Sequence, residues 1–79
     1  MNKNNHINIY DFTKREIDYF RENCNLSPPE RELFELRNQY YTLEQAAEKM
    51  NISPKTAYRL NKKIKQKIVK VCVQMYSEK

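Results

Sequence analysis

Residues 42–67 read TLEQAAEKMNIS followed by PKTAYRLNKKIKQK, and this stretch decides the fold. Thr42 and Gln45 have the spacing of a capping box, in which two side chains satisfy backbone N–H groups at a helix start. The apolar residues that follow recur at helical spacing, as an amphipathic helix requires. They are Leu43, Ala46, Ala47 and Met50. The first half of the stretch is therefore predicted to be a helix over residues 43–50.

The second half of the stretch begins with a reversal of the chain. Asn51 stands where the helix should end, and asparagine tolerates the left-handed conformation better than most non-glycine residues. This matters because the chain contains no glycine. Ser53 and Pro54 then favour a new helix start, since serine caps and proline fits the first turn. The small residues Ala46 and Ala47 suit two helices that approach closely at a steep angle.

The helix that starts at Pro54 has two distinct faces on a helical wheel. Its apolar face holds Ala57, Leu60, Ile64, Ile68 and Val71. Its polar face holds Lys55, Tyr58, Arg59, Lys62, Lys63 and Gln66. This pattern predicts that one side packs into a core while the other side forms a cationic surface.

Positive charge is concentrated in this last part of the chain. Residues 1–52 contain 7 Lys and Arg against 9 Asp and Glu, whereas residues 53–79 contain 8 against 1. Such an uneven distribution is typical of a surface that binds a polyanion, although a solvated lysine-rich helix face is the alternative. Lys55 lies in a first helical turn, where the helix dipole disfavours a cation. A nearby phosphate would remove that conflict, so the pattern favours nucleic acid.

Residues 41–60, YTLEQAAEKMNISPKTAYRL, resemble region 4 of bacterial sigma factors and the DNA-binding domain of LuxR-type response regulators. The resemblance extends back to residues 26–36, LSPPERELFEL, which look like the first helix of those domains. Two departures concern the turn, because Asn51 replaces the usual glycine and Ala46 is smaller than the usual branched residue. The resemblance implies a helix-turn-helix that binds double-stranded DNA.

In helix-turn-helix docking, the second helix enters the major groove and the first crosses the phosphate backbone. The early exposed residues of the second helix are expected to contact bases, and these are Lys55, Thr56, Tyr58 and Arg59. Arg59 is the strongest candidate because its planar fork matches the two acceptors of guanine. The expected phosphate contacts are Thr42, Gln45, Ser53, Lys62 and Lys63, and the resemblance to sigma region 4 implies Tyr41 as a further one. For Thr42 and Ser53, the capping role alone explains why these residues occur at helix starts, and a DNA contact would be an addition. For Tyr41, packing as a half-exposed side chain is an equally good explanation.

Two further helices are predicted before residue 42. Thr13 and Glu16 have capping-box spacing, and Ser27, followed by two prolines and Glu30, is a strong helix start. The four helices are expected at about residues 13–24, 28–40, 43–50 and 54–76. Leu33, Leu36 and Tyr40 share one face, so Tyr40 is expected in the core. The predicted fold is a small all-α domain with a helix-turn-helix and a long C-terminal helix.

The first of these helices either enlarges the core or binds a partner. Its apolar residues lie on two sides, with Tyr10, Ile17, Phe20 and Cys24 on one and with Phe12 and Tyr19 on the other. The core role is the preferred interpretation.

The end of the chain is apolar on more than one side. Val69 and Val73 fall on what had been the polar face, so a helix there needs a further neighbour. That neighbour is the first helix, a second copy in a homodimer, or another protein. The candidate protein interface consists of Ile68, Val69, Val71, Cys72, Val73 and Met75. The alternation of valines also fits a short strand, but the unbroken helical pattern favours a helix.

A chain of 79 residues fits one domain, here residues 11–79 after a flexible lead over residues 1–10. Cys24 and Cys72 have no metal-ligand spacing, so two reduced thiols are expected and a disulfide is the alternative. No apolar run is long enough to span a membrane and no signal peptide is recognised. The protein is therefore expected in the cytoplasm, without membrane contact.

These patterns predict a DNA-binding transcriptional regulator, and the small size without a sensor domain fits a phage or mobile element. The rival hypothesis, which the resemblance implies, is an adaptor that imitates sigma region 4 and binds RNA polymerase. RNA binding is a third alternative. An enzyme is not expected, since the chain has no glycine-rich phosphate loop, no metal-ligand cluster and no histidine near a nucleophile. No metal or other cofactor is expected.

Overall fold

The computed structural model describes the backbone of residues 12–77 and the side chains of residues 12–74. Within that range the chain forms four helices and no strand. They are α1 (Lys14–Asn23), α2 (Pro28–Asn38), α3 (Leu43–Met50) and α4 (Pro54–Ser77). The predicted all-α class with a long C-terminal helix is confirmed, and the valines near the end of the chain are helical. The flexible lead predicted for residues 1–10 lies outside the described residues.

Local sequence accounts for where these helices begin. Three of them start with a complete capping box, formed by Thr13 with Glu16, Ser27 with Glu30, and Thr42 with Gln45. α4 starts after Ser53, whose hydroxyl accepts a hydrogen bond from the backbone N–H of Thr56 at 3.1 Å. Each cap satisfies backbone donors that have no partner inside the helix and contributes about 1 kcal/mol.

The turn between α3 and α4 has the geometry expected from its sequence. Asn51 is in the left-handed conformation, with φ 59° and ψ 44°. The N–H of Ile52 donates to the carbonyl of Ala47 at 3.0 Å, which closes the end of α3. Ala46 and Ala47 are 0% and 1% exposed, so small side chains do lie where the two helices pack together. Asparagine here replaces the glycine that such a turn usually requires.

α4 is the central element of the core. It packs against α2, α3 and α1, and α2 also packs against α3. The predicted apolar face of α4 is confirmed, because Ala57, Ile64, Ile68 and Val71 are buried and Leu60 is half-buried. The main cluster of buried residues comprises Phe20, Cys24, Leu26, Leu33, Phe34, Ala46, Ile64, Ile68 and Val71.

α1 contributes to this core, as the preferred interpretation stated. Phe20 is completely buried, and Tyr19 is half-buried at its side. Phe12 was expected on the opposite face of the helix, and that prediction is wrong. The backbone of Thr13 is extended, so Phe12 lies before the helix and its direction does not follow the helical spacing. The Phe12 ring packs edge-on against Phe20, with 4.8 Å between ring centroids.

The end of α2 differs from the sequence-based expectation. α2 stops at Asn38, and Tyr40 has φ 71° and is 79% exposed, so its predicted place in the core is wrong. The physical reason is the left-handed turn, which takes Tyr40 off the helical face that it shares with Leu33 and Leu36 in the sequence. Phe34 is fully buried instead and supplies the aromatic ring of this helix to the core.

Two ion pairs connect the helices at the edge of the core. Arg21 of α1 forms a bidentate ion pair with Glu35 of α2, in which Nε donates to Oε2 at 2.5 Å and Nη2 donates to Oε1 at 2.7 Å. Lys67 of α4 donates to the buried carboxylate of Glu30 at 2.6 Å and to the carbonyl of Asn25 at 3.2 Å. Because charged donors and acceptors make strong directional hydrogen bonds, these contacts help to orient α1 and α4 on α2.

Candidate nucleic-acid interface

The residues predicted to read bases lie together on the first turns of α4. Lys55, Thr56, Tyr58 and Arg59 are all exposed, whereas Ala57 between them is fully buried. The burial of Ala57 and, farther along, of Ile64 fixes which side of α4 faces solvent. The exposed positions are consequently held by the core rather than by a mobile loop.

The cationic face continues along the next turns of the same helix. Lys62, Lys63 and Gln66 are exposed, as predicted. Lys55 and Lys63 are separated by about 12 Å along the helix axis at 1.5 Å per residue. An α-helix with its side chains is about 10–12 Å in diameter, and the major groove of B-DNA is about 12 Å wide, so a helix exposed along one side as α4 is can enter the groove.

Most positive charge on this face is not neutralised by a neighbouring carboxylate. The salt bridges among residues 12–74 involve Lys14, Arg21 and Lys67, and none involves Lys55 or Arg59. α4 itself contains no acidic residue, so no internal pair of the kind common on exposed helices forms. The exposed cations of α4 are therefore concentrated on one side of the helix, an arrangement that in general attracts polyanions and raises their rate of association.

At the start of α3, two of the predicted phosphate-binding residues are exposed but already take part in the cap. Thr42 Oγ1 accepts from the N–H of Gln45 at 3.1 Å, and Gln45 Oε1 accepts from the N–H of Thr42 at 2.9 Å. Both contacts use acceptor atoms. The hydroxyl proton of Thr42 and the NH₂ group of Gln45 are thus the donors that a phosphate oxygen would use.

Ser53 is placed differently from Thr42. Its hydroxyl accepts from the N–H of Thr56 and also lies 3.0 Å from Thr56 Oγ1, to which it donates. A phosphate would have to displace this second hydrogen bond. Ser53 is exposed, but its geometry favours capping over direct DNA contact.

Tyr41 lies half-buried just before α3, and its surroundings fit both the phosphate contact and the packing role expected for it. The Nζ of Lys49 is 4.9 Å from the centroid of its ring, a cation–π contact. The carbonyl of Tyr41 accepts a hydrogen bond from Nη1 of Arg37 at 2.9 Å. The ring is therefore packed, and Lys49 in the last turn of α3 adds a cation that the sequence patterns did not single out.

The candidate protein interface at the end of α4 divides into two groups. Ile68 and Val71 are 2% and 6% exposed and belong to the core of this chain, so assigning them to an interface was wrong. Their side of α4 is covered by the other helices. Val69 and Val73 are 58% and 62% exposed, and Cys72 is half-buried against the core. The side chain of Met75 lies outside the described residues.

Both cysteines are free thiols. Burial, with a smaller contribution from the nearby Cys72, raises the pKa of Cys24 to about 11. Burial also raises the pKa of Cys72, assisted by the charge of Glu16. Since the thiolate is the reactive form, neither residue has the character of a nucleophile or a redox sensor.

Comparisons of the chain with protein-family models, curated protein sequences and solved structures found no match. Within the described residues, no cluster of His, Cys, Asp and Glu side chains is arranged to hold a metal ion. No helix of the described part is long and apolar enough to cross a membrane. The exposed face of α4 and its surroundings are therefore the features of the described residues that bear on function.

Proposed function

We propose that this protein is a sequence-specific DNA-binding transcriptional regulator that inserts the N-terminal half of α4 into the major groove. The observation that carries the proposal is the division of α4 into two faces. Its apolar face is buried by α1, α2 and α3, while the opposite face presents Lys55, Arg59 and Lys62 to solvent. A rigid cationic helix of groove dimensions is what major-groove recognition requires.

In the proposed complex, the first turns of α4 read sequence and its next turn binds phosphate. Arg59 donates two hydrogen bonds to a guanine, and Lys55, Thr56 and Tyr58 contact neighbouring base edges. Lys62 and Lys63 lie one turn farther along and neutralise phosphates without reading sequence.

α3 crosses the DNA backbone in this arrangement. The side-chain donors of Thr42 and Gln45 then face phosphate oxygens, together with the positive end of the α3 dipole. Lys49 and the hydroxyl of Tyr41 extend the same surface. α4 is about 36 Å long at 1.5 Å per residue, so its C-terminal half projects beyond the groove.

The experiment is selection of bound duplexes from a random-sequence library, followed by fluorescence anisotropy on the selected and on unrelated duplexes. Two double variants that each remove two positive charges test whether the cationic face of α4 binds the DNA. Lys62→Ala/Lys63→Ala removes neighbouring cations from α4, and Lys14→Ala/Arg15→Ala removes neighbouring cations from α1. The α4 variant should weaken binding to every duplex and reduce the slope of log affinity against log salt by about two units.

The α1 variant serves as the control and should keep most of the affinity and the parental salt slope. If both variants lose affinity equally, binding is diffuse charge attraction and the groove geometry is wrong. If the parent selects no sequence at all, the protein is not a sequence-specific regulator.

An adaptor that binds RNA polymerase or another transcription protein is the second candidate. The observation that favours it is the exposure of Val69 and Val73 one turn apart, on a part of α4 that DNA would leave uncovered. Capture of RNA polymerase from lysate by the parent, and its loss in Val69→Ser/Val73→Ser, would support the adaptor. Capture that persists in the double variant would count against this surface.

A further inference from the structure

Tyr40 combines two features that folding alone does not explain. Three residues in the described part have a positive φ, namely Asn25, Tyr40 and Asn51. Asparagine adopts this conformation readily, whereas a bulky side chain there is an outlier that costs free energy. The Tyr40 side chain is also 79% exposed, so burial of its ring does not offset the free-energy cost of the positive φ.

The surrounding hydrogen bonds hold Tyr40 in this conformation. Its N–H donates to the carbonyl of Arg37 at 2.9 Å, and the N–H of Tyr41 donates to the carbonyl of Leu36 at 3.3 Å. The guanidinium of Arg37 in turn donates to the carbonyl of Tyr41. This is the arrangement of a helix end that glycine usually occupies. The ring therefore projects from a fixed turn, and ordering it against a ligand costs little backbone entropy.

The position of Tyr40 relative to α3 indicates which ligand it meets. Tyr40 precedes Thr42, the cap of α3, by two residues, so their Cα atoms are at most about 7 Å apart. The ammonium of Lys49 lies 4.9 Å from the centroid of the neighbouring Tyr41 ring, so a cation that attracts phosphate stands next to this turn. α3 is the helix that crosses the sugar-phosphate backbone in helix-turn-helix docking.

We infer that Tyr40 is a further DNA-backbone contact, its hydroxyl donating to a phosphate oxygen and its ring packing on the adjacent deoxyribose. The inference rests on the proposed DNA-binding function and adds a residue that the helical pattern had assigned to the core. Because the contact is to the backbone, it strengthens binding to all duplexes and does not change the preferred sequence.

The test uses Tyr40→Gly, for which stability and DNA affinity should change in opposite directions. Glycine adopts the positive φ without steric cost, so the melting temperature should rise. Loss of the hydroxyl and ring contacts should lower affinity about fivefold to tenfold, equally for the selected duplex and for an unrelated one. Asn25→Gly is the control, since it changes another positive-φ position, in the connection between α1 and α2, and should leave affinity unchanged.

Tyr40→Phe separates the hydroxyl from the ring while the backbone stays as in the parent. It should lose part of the affinity that Tyr40→Gly loses, with the parental melting temperature, which supports the inference even if the glycine variant folds poorly. Parental affinity in both variants overturns the Tyr40 contact and leaves the DNA-binding function standing, provided that Lys62→Ala/Lys63→Ala still weakens binding. Absence of DNA binding by the parent overturns both proposals.

Discussion

The carboxylate of Glu30 at the start of α2 accepts a hydrogen bond from the ammonium of Lys67 in α4 at 2.6 Å, across 37 residues of sequence. Glu30 is buried, and it also accepts the backbone N–H of Ser27 in the cap of its own helix. One side chain thus closes the start of α2 and fixes the middle of α4. The cationic face depends on this contact, because the rotation of α4 decides which of its residues reach solvent.

Replacing Lys67 by methionine should destabilise the fold, since it leaves the Glu30 carboxylate buried without its charged partner. Lys67 is partly exposed, which screens the interaction, so we expect a loss of about 1–2 kcal/mol in the free energy of unfolding. Urea denaturation followed by circular dichroism measures it. Lys70→Met is the matched control, because Lys70 is exposed on the same helix and should change stability little. Equal effects of the two substitutions would show that the pair contributes nothing.

The stability that Glu30 contributes should depend on pH. Burial by itself raises the pKa of this carboxyl, but hydrogen bonds from Lys67 and Ser27 and the charge of Lys67 outweigh burial and lower the pKa. A pKa lower in the folded than in the unfolded chain stabilises the fold above the unfolded value, about 4.3. That stability is lost as the pH falls through the folded value.

The corresponding measurement is the free energy of unfolding of the parent and of Glu30→Gln at several pH values. Between about pH 5 and pH 3, the parent should lose more stability than the glutamine variant, which has no carboxyl at this position. Parallel curves for the two proteins would contradict the predicted linkage.

Arg59→Ala should reduce affinity for the selected duplex by about 1–3 kcal/mol and relax the base preference at one position. Arg59→Lys keeps the charge but lacks the planar fork, so it should retain affinity for unrelated DNA while losing the preference. Anisotropy titrations on duplexes that differ at single base pairs measure both effects. If arginine and lysine discriminate equally well, Arg59 contacts phosphate instead of a base.

Ala46→Leu should destabilise the packing of α3 on α4, because the alanine side chain is completely buried and a larger one forces the helices apart. Overpacking of this kind costs about 1–3 kcal/mol. Glu48→Leu introduces the same side chain at an exposed position of α3 and serves as the control. A thermal melt in which the Ala46 variant matches the parent would show that the interface has spare room.

Cys24 should react slowly with a thiol reagent in the native protein at neutral pH, because it is buried and its pKa is raised to about 11. Cys72 is half-buried and should react faster. Comparing the variants Cys24→Ala and Cys72→Ala with an absorbance assay assigns each rate, and both thiols should react rapidly in denaturant. Rapid native reaction of Cys24 would mean that α1 opens readily.

Much of the fold follows from short-range sequence signals. Capping residues such as Thr42, with a partner three positions later, mark the helix starts, and Asn51 marks the turn because asparagine adopts a positive φ more easily than the residues on either side of it. The spacing of Ala57, Ile64 and Ile68 identifies the buried side of α4. Each of these signals involves residues within one or two helical turns, so it is legible without knowledge of the tertiary structure.

The predicted base-contacting residues also came from this local pattern, since the exposed side of α4 is simply the complement of its buried side. Tyr40 did not, because the residue that takes the positive φ at the end of α2 is this tyrosine and not the asparagine two positions earlier, Asn38. Phe12 was misplaced for a similar reason, as it precedes the extended cap residue.

The sequence by itself determined the helices, their caps and the two faces of α4, because these depend on interactions between residues a few positions apart. The tertiary structure decided that Glu30 pairs with Lys67, that Arg21 pairs with Glu35, and that Val69 and Val73 stay largely exposed beside the packed helices. Those outcomes depend on how whole helices pack and rotate against one another. No local pattern contains that information, since the contacting residues lie far apart in the chain.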